Sequence, residues 1–334
     1  MRSMLFLLLG FSLTPWGVAA QSLEDLYRRV LPSVVKVESN EAIRLPRRGR
    51  VELGEGVGAG VLIDTSGLIL TAAHVVQTSD QIAVSFSDGR RLPAKVLYSV
   101  PSADVALLKT VYPPKDKRAV RLADSDSVRI GSPVFLIGSP RGTAFSLSSG
   151  IVSGRHVKRR FTNGLSAVEY LQTDASINPG SSGGPMFNYE GEVVGIASYI
   201  LSNSGGFEGM GFAATANVCR RLLLEQKSHW TGVEGILLEG RMAELLNVPG
   251  GAGLLVQKVA SLSPADLLGL HGGDTPAEIN GESLLLGGDI ILEVNGVSFA
   301  EERSIEKIMA VVKSGKLMLK VLRSGEQITI SGSR

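Results

Sequence analysis

The sequence predicts a mostly β protein in two parts: a strand-rich unit built as a barrel or sandwich, then a smaller module mixing strands and helix. Three observations carry this. From about residue 33 to 213 the chain runs in short β-branched stretches broken by glycine, the pattern of many brief strands rather than of alternating strands and helices. Glycine is abundant, 40 of 334 residues, without a collagen-like period, and aromatics make up only 5%, which fits many tight turns. A length of 334 residues corresponds to about two domains of roughly 150.

The elements follow in order. Residues 1–20 read as a secretory signal: Arg2, an apolar run over 4–13, the breaker Pro15, then the small residues Val18, Ala19 and Ala20 at a cleavage site. An uncleaved anchor is the alternative, but a run of about ten apolar residues falls short of the roughly 20 that span a bilayer, so cleavage and export are expected. Ser22 then caps a short amphipathic helix with Leu23, Leu26, Tyr27 and Val30 at helical spacing. Strands are expected over 33–38, 58–64, 68–76, 81–86 and 133–138, with Thr65, Ser66 and Gly67 turning between the second and third. A helix over 217–227, with Val218, Leu222 and Leu223 inward, ends a first domain spanning 21–228. Residues 229–334 carry strands at 254–259, 289–296, 317–323 and 327–331 and a helix near 304–314, which suits a compact α+β module.

Composition excludes several function classes. Apolar residues at 44% and charged residues at 20% supply proper cores. Lysine and arginine total 34 against 32 acidic residues, a net +2, too balanced for a protein that grips a phosphate backbone, so no nucleic-acid partner is expected. The one cysteine, Cys219, forbids an intrachain disulfide, a cysteine-rich zinc site or a CxxC redox pair, and reads as a buried apolar side chain. None of the four histidines stands in HExxH spacing, so neither a metal nor a cofactor is expected. The acidic stretch 274–280 lacks EF-hand spacing and reads as a solvated turn.

Chemistry concentrates in three places: Leu70 to Val75 around His74, Ser102 to Leu107 around Asp104, and Asn178 to Pro185 around Ser182. A serine hydroxyl is a poor nucleophile at neutral pH; acyl transfer needs an imidazole to take its proton and a buried carboxylate to orient that imidazole and stabilise its cation. Glycines around Ser182 let the backbone turn sharply so that the N–H groups of Gly180 and Ser182 converge as an oxyanion hole, where one lost donor costs about 10² to 10³ in turnover. Alone, each piece is ordinary: a core histidine, a turn aspartate, a glycine-rich turn. Together their order, His, Asp, Ser, is that of chymotrypsin and not of subtilisin or the α/β-hydrolases.

The chain resembles the HtrA/Deg serine proteases over nearly its whole length after residue 20. Besides the three motifs, the likeness includes LYRRVLPSVVKVE (26–38), GVGAGVLIDTSGLILTAAHVV (56–76), LIGSPRG (136–142), SSGIVSG (148–154), LQTDASINPGSSGGPMFNYEGEVVGI (171–196) and GMGFAATANV (209–218). It implies a chymotrypsin-like double β-barrel protease domain followed by a smaller α+β PDZ domain, with His74, Asp104 and Ser182 as the triad. The family's usual asparagine before the nucleophile is Ser181 here, a position that contributes mainly backbone.

The same resemblance implies a primary specificity pocket walled by Ile177, Ile200 and Leu201, which favours small aliphatic residues before the scissile bond. It implies an activation-sensor loop holding Arg155, His156, Lys158, Arg159 and Arg160. The PDZ carboxylate loop falls on Val233, Glu234, Gly235 and Ile236, with Glu234 where the family prefers an aliphatic residue, so weak binding of free C-termini is expected. Homotrimers packed through the N-terminal segment near Leu26 and Tyr27, peptide ligands for the PDZ domain, unfolded protein substrates cleaved without ATP and a periplasmic or otherwise exported location complete the expectation. The rival reading is a largely latent barrel acting as a peptide-binding chaperone or scaffold.

Overall fold

The structure, a computed structural model, describes residues 22–44, 51–143, 145–158, 168–202, 204–279, 281–302, 304–312 and 316–333. The signal reading over 1–20 lies outside them. The first described element is helix α1 (Leu23–Val30), capped by the Ser22 side chain, which accepts from Asp25 N at 3.1 Å; Glu24 and Asp25 in its first turn and Arg28 and Arg29 in its last complement the helix dipole. Leu26 is fully buried in its own chain and the Tyr27 hydroxyl donates to Phe145 O at 3.0 Å. Leu26 is thereby spent on the intrachain core.

Two six-stranded closed barrels follow. The first contains β1 (Val34–Arg44), β2 (Val51–Asp64), β3 (Leu68–Thr71), β4 (Gln81–Phe86), β5 (Arg91–Val100) and β6 (Val105–Thr110), closed in the order β1-β2-β3-β6-β5-β4. The second contains β7 (Pro133–Gly138), β8 (Ser146–Lys158), β9 (Val168–Thr173), β10 (Pro185–Phe187), β11 (Val193–Ile200) and β12 (Gly211–Thr215), closed as β10-β11-β12-β9-β8-β7. The expected strand over 68–76 stops at Thr71, and its remainder becomes the one-turn helix α2 (Ala73–Val76). Hydrophobicity alone could not mark that boundary, because Ala73, Val75 and Val76 are as buried as a strand would be.

Alternation along the strands explains how three cores arise from the two barrels. Ile69 and Leu108 point into the first barrel with Leu62, Val84 and Phe86, while Val134 and Leu136 point into the second with Val152, Leu171 and Met186. Their neighbours Leu70, Leu107, Phe135 and Ile137 face the other way and meet in a seam between the barrels. Phe135 stacks on Phe187 there, ring centroids 5.2 Å apart, and Leu26, Val218, Leu222 and Leu223 close the seam from outside. The helix expected over 217–227 is α3 (Ala216–Cys219), capped by Thr215 and continued as a π-helix over Arg220–Glu225.

The C-terminal unit contains β13 (Val233–Glu239), α4 (Gly240–Leu245), β14 (Ala252–Val259), α5 (Pro264–Leu267), β15 (Thr275–Ile279), β16 (Glu282–Leu286), β17 (Ile290–Val294), β18 (Val297–Ser298), α6 (Ser304–Val311), β19 (Lys316–Arg323) and β20 (Glu326–Ser333). Its sheet runs β13-β14-β17-β19-β20, so β13 is an edge strand. Two readings are corrected. The supposed turn over 274–280 is mostly β15, paired with β16 from Thr275↔Leu286 to Ile279↔Glu282, and the hairpin is latched by Gln257, whose amide bonds Leu285 O at 3.1 Å and accepts from Leu285 N at 2.6 Å. The residues Val233 to Ile236 are not a loop but the start of β13, where Glu234 lies opposite Lys258. Short polar strands such as β15 give little periodic signal, and pairing rather than propensity forms them.

The C-terminal unit docks on the first barrel through Gln77, directly after α2. Gln77 Nε2 donates to Val233 O at 2.7 Å, its Oε1 accepts from Ser99 Oγ at 2.6 Å, and its backbone carbonyl accepts from Trp230 Nε1 at 2.8 Å. Asp80 adds a bond from Ser261 N at 2.6 Å.

Candidate active site

α2 starts where β3 ends, with Ala72 extended at its N-cap, and this short helix holds His74 at the barrel rim. Asp104 follows a 3₁₀ turn over Pro101–Ala103 and sits in the left-handed region, φ 52 and ψ 45, which turns its carboxylate back toward α2. His74 Nδ1 lies 2.9 Å from Asp104 Oδ1 and 2.8 Å from Oδ2, and the His74 backbone N–H donates to Oδ1 at 3.0 Å. The carboxylate therefore holds both ring and backbone of one residue. Burial draws the His74 pKa down, but the hydrogen bond and charge of Asp104 outweigh it and hold the imidazole above its ordinary value.

From the second barrel, Ser198 Oγ donates to Asp104 Oδ2 at 2.5 Å. Sequence reasoning missed Ser198: it is one serine among many at the end of an apolar strand, and no motif marks it.

Ser182 sits in a run of tight turns. Ser181 N donates to Asn178 O at 2.7 Å across a turn with Pro179 second and Gly180, at φ 94, third. That is the type II pattern, which favours glycine at the third position and fixes which way the Pro179–Gly180 peptide points. Among the described residues the N–H groups of Gly180 and Ser182 donate to no other protein group, which leaves two neighbouring donors for a ligand oxygen. The Ser182 carbonyl accepts from Ala59 N at 2.8 Å, and Thr71 Oγ1 donates to Ala59 O at 2.7 Å, so the first barrel grips this loop. Gly183, at φ 82, has no room for a side chain: a Cβ would collide with Ala59 O and Thr71 Oγ1 and lie 2.7 Å from Ala72 N. No hydrogen bond joins Ser182 Oγ to His74 among the described residues, a looseness common in unliganded sites.

The three expected pocket residues divide. Ile177 is buried in the second barrel's cluster and Ile200 packs against it, whereas Leu201 is 57% exposed. Phe207 and Gly211, neither singled out by sequence, lie against Ile177. Of the expected sensor loop, Arg155, His156 and Lys158 belong to β8, because that strand stays paired with β9 through Lys158↔Val168; Arg159 and Arg160 lie outside the described residues. Arg155 is spent on structure, paired to Glu169 at 2.8 Å and donating to the carbonyls of Ser125 and Val128.

The two barrels and this cluster define a trypsin-like serine peptidase, and residues 58–196 match the family model described as a trypsin-like peptidase domain. The chain is 37% identical over 333 residues to a probable periplasmic serine endoprotease DegP-like protein of Ectopseudomonas mendocina, covering 95% of this chain and 68% of that one. To the periplasmic serine endoprotease DegP of Escherichia coli it is 31% identical over 386 residues, covering 98% and 78%. Across these curated relatives the chain spans from 51% to 78% of their length. Solved structures of the HtrA-type protease AlgW with a tripeptide and with a decapeptide align over 93% of the chain, with TM-scores of 0.53 and 0.54 and 29% identity each. The chain belongs to the HtrA/Deg family and is a serine endopeptidase.

Proposed function

We propose that this chain cleaves unfolded or damaged proteins outside the cytoplasm, in the periplasm, by a Ser-His-Asp acyl-enzyme mechanism that needs no ATP. The observation that carries the mechanism is the His74–Asp104 pair, fixed from three sides beside a loop with two unpaired N–H groups. Ser182 Oγ attacks the scissile carbonyl carbon while His74 Nε2 takes the hydroxyl proton. The carbonyl oxygen becomes an oxyanion held by the N–H groups of Gly180 and Ser182. His74 passes its proton to the amine as the C–N bond breaks; water, deprotonated by His74, then releases the acyl group. Asp104 remains ionised throughout and stabilises the imidazolium.

The reading of the C-terminal unit as a PDZ domain that takes peptides rests on β13 being an edge strand, where an extended chain adds as a further strand. Domain limits at 21–228 and 229–334, removal of residues 1–20, an apolar pocket at Ile177 and Ile200 and a homotrimer belong to the same proposal. The relatives' periplasmic names support export, and no helix among the described residues is long and apolar enough to cross a membrane.

The test incubates an unfolded protein with the wild type and with Ser182→Ala and maps products by mass spectrometry. Cleavage after Ala, Val, Ile or Leu that disappears in Ser182→Ala, with organophosphonate labelling at Ser182 alone, is expected. The second reading is a largely latent barrel that binds peptides as a chaperone or scaffold. Binding of unfolded chains by both proteins with cleavage by neither would select it.

A further inference from the structure

Ten residues, 201–210, join β11 to β12, and Phe207 is the one aromatic among them. Glycines surround it: 205, 206 and 209. Gly205 and Gly209 have positive φ, and nothing lies within 4 Å of where their Cβ atoms would be. The turn is held by its own side chains, Gly205 N donating to Ser202 Oγ and Ser204 N to Glu208 Oε1 at 3.0 Å each, and the Phe207 side chain is half-buried against the cluster that contains Ile177.

Gly211 shows where the ring points. Its φ lies outside the left-handed region, so the backbone does not require glycine there; space does. A Cβ at 211 would lie 2.8 Å from Ile177 Cδ1, 3.1 Å from Ile177 Cγ1 and 3.3 Å from Phe207 Cε2. Ile177 and Phe207 therefore converge on one point beside β12, five residues before Ser182 along the chain from Ile177. Ile177 is only 2% exposed, and the half-buried Phe207 packs against the same cluster. Ile177 lies in the segment leading to the nucleophile turn, and Phe207 lies in the glycine-rich connection between β11 and β12.

We propose that Phe207 sets the size preference of the primary specificity pocket, favouring alanine and valine over leucine and larger side chains before the scissile bond. This rests on the reading of Ile177 and Ile200 as walls of that pocket and of Ser182 as the nucleophile. An apolar pocket discriminates by about 10- to 200-fold per methylene gained or lost, so removing the ring produces a measurable change of preference.

The experiment compares the full chain with Phe207→Ala and Phe207→Leu on quenched peptides that differ only before the scissile bond, as Ala, Val, Leu, Met or Phe. Active sites are counted with an organophosphonate. Phe207→Ala is expected to raise the ratio of kcat/KM for Leu over Ala by about tenfold or more, with Phe207→Leu intermediate. An unchanged ratio, or an equal loss on every peptide, overturns the proposal and leaves the protease reading intact, because the wild type still cuts and labels. A wild type that neither cuts nor labels at Ser182 overturns both. Should Phe207→Ala not fold, Phe207→Leu separates the same two outcomes with a smaller change in the ratio.

Discussion

In the proposed mechanism His74 carries the pH dependence. The Asp104 carboxylate holds the imidazole above its ordinary value of about 6.5, and a general base must be neutral to act. The acid limb of kcat/KM is therefore expected to lie above about 6.5 and to move down in Asp104→Asn, with kcat falling by about 10⁴, as it does when the aspartate of this triad is amidated elsewhere. Stability has the opposite sense: the pair's contribution is full below about 6.5 and is lost as pH rises through the higher folded value. Ser198→Ala removes a charge-assisted bond worth about 1.5–3 kcal/mol and is expected to lower kcat/KM by about ten- to a hundredfold. A pH–rate profile of the three proteins decides both. Cys219 is the contrasting case: burial pushes its thiol up to about 12, so it stays an inert thiol in the folded protein.

At the scale of elements, what was legible followed the strength of periodicity. The strands at 81–86 and 133–138 appear with those bounds, because each is a dense apolar run ended by a turn. The strand-to-helix switch after Thr71 was not legible, nor was β13, because a buried helical turn and an edge strand leave ambiguous hydrophobic patterns. His74, Asp104 and Ser182 stood out by residue type and order, whereas Ser198, Phe207 and Gly211 owe their places to barrel closure that brings β11 and β12 beside the Ser182 loop. In the C-terminal sheet, the fully buried Asp289 carboxylate takes Arg323 Nε and Nη2 at 2.7 Å each and the His271 N–H at 2.9 Å. Removing one partner strands a buried charge; Arg323→Ala is expected to destabilise this sheet by about 3–5 kcal/mol, read as a lowered denaturation midpoint.

Across the whole molecule, Gln77 and Asp80 tie the first barrel to the C-terminal unit. Gln77 is 6% exposed, and its replacement by alanine leaves Ser99 Oγ and the Val233 carbonyl without their partner. Each orphaned polar group costs about 1–3 kcal/mol where it stays dry, so the contact is expected to open instead and admit water. Gln77→Ala should give a larger radius of gyration by small-angle scattering, with both barrels retaining their hydrogen-exchange protection.

The seam between the barrels has a temporal meaning. His74 and Asp104 come from the first barrel and Ser182 and Ser198 from the second; Ser198 bonds Asp104 across the gap, and Ala59 holds the Ser182 carbonyl. During synthesis His74 and Asp104 emerge long before Ser182, and under the proposed mechanism neither half alone has a working centre. On that mechanism an incomplete chain cannot cut itself or its neighbours, and the power to cut waits until the second barrel has joined the first.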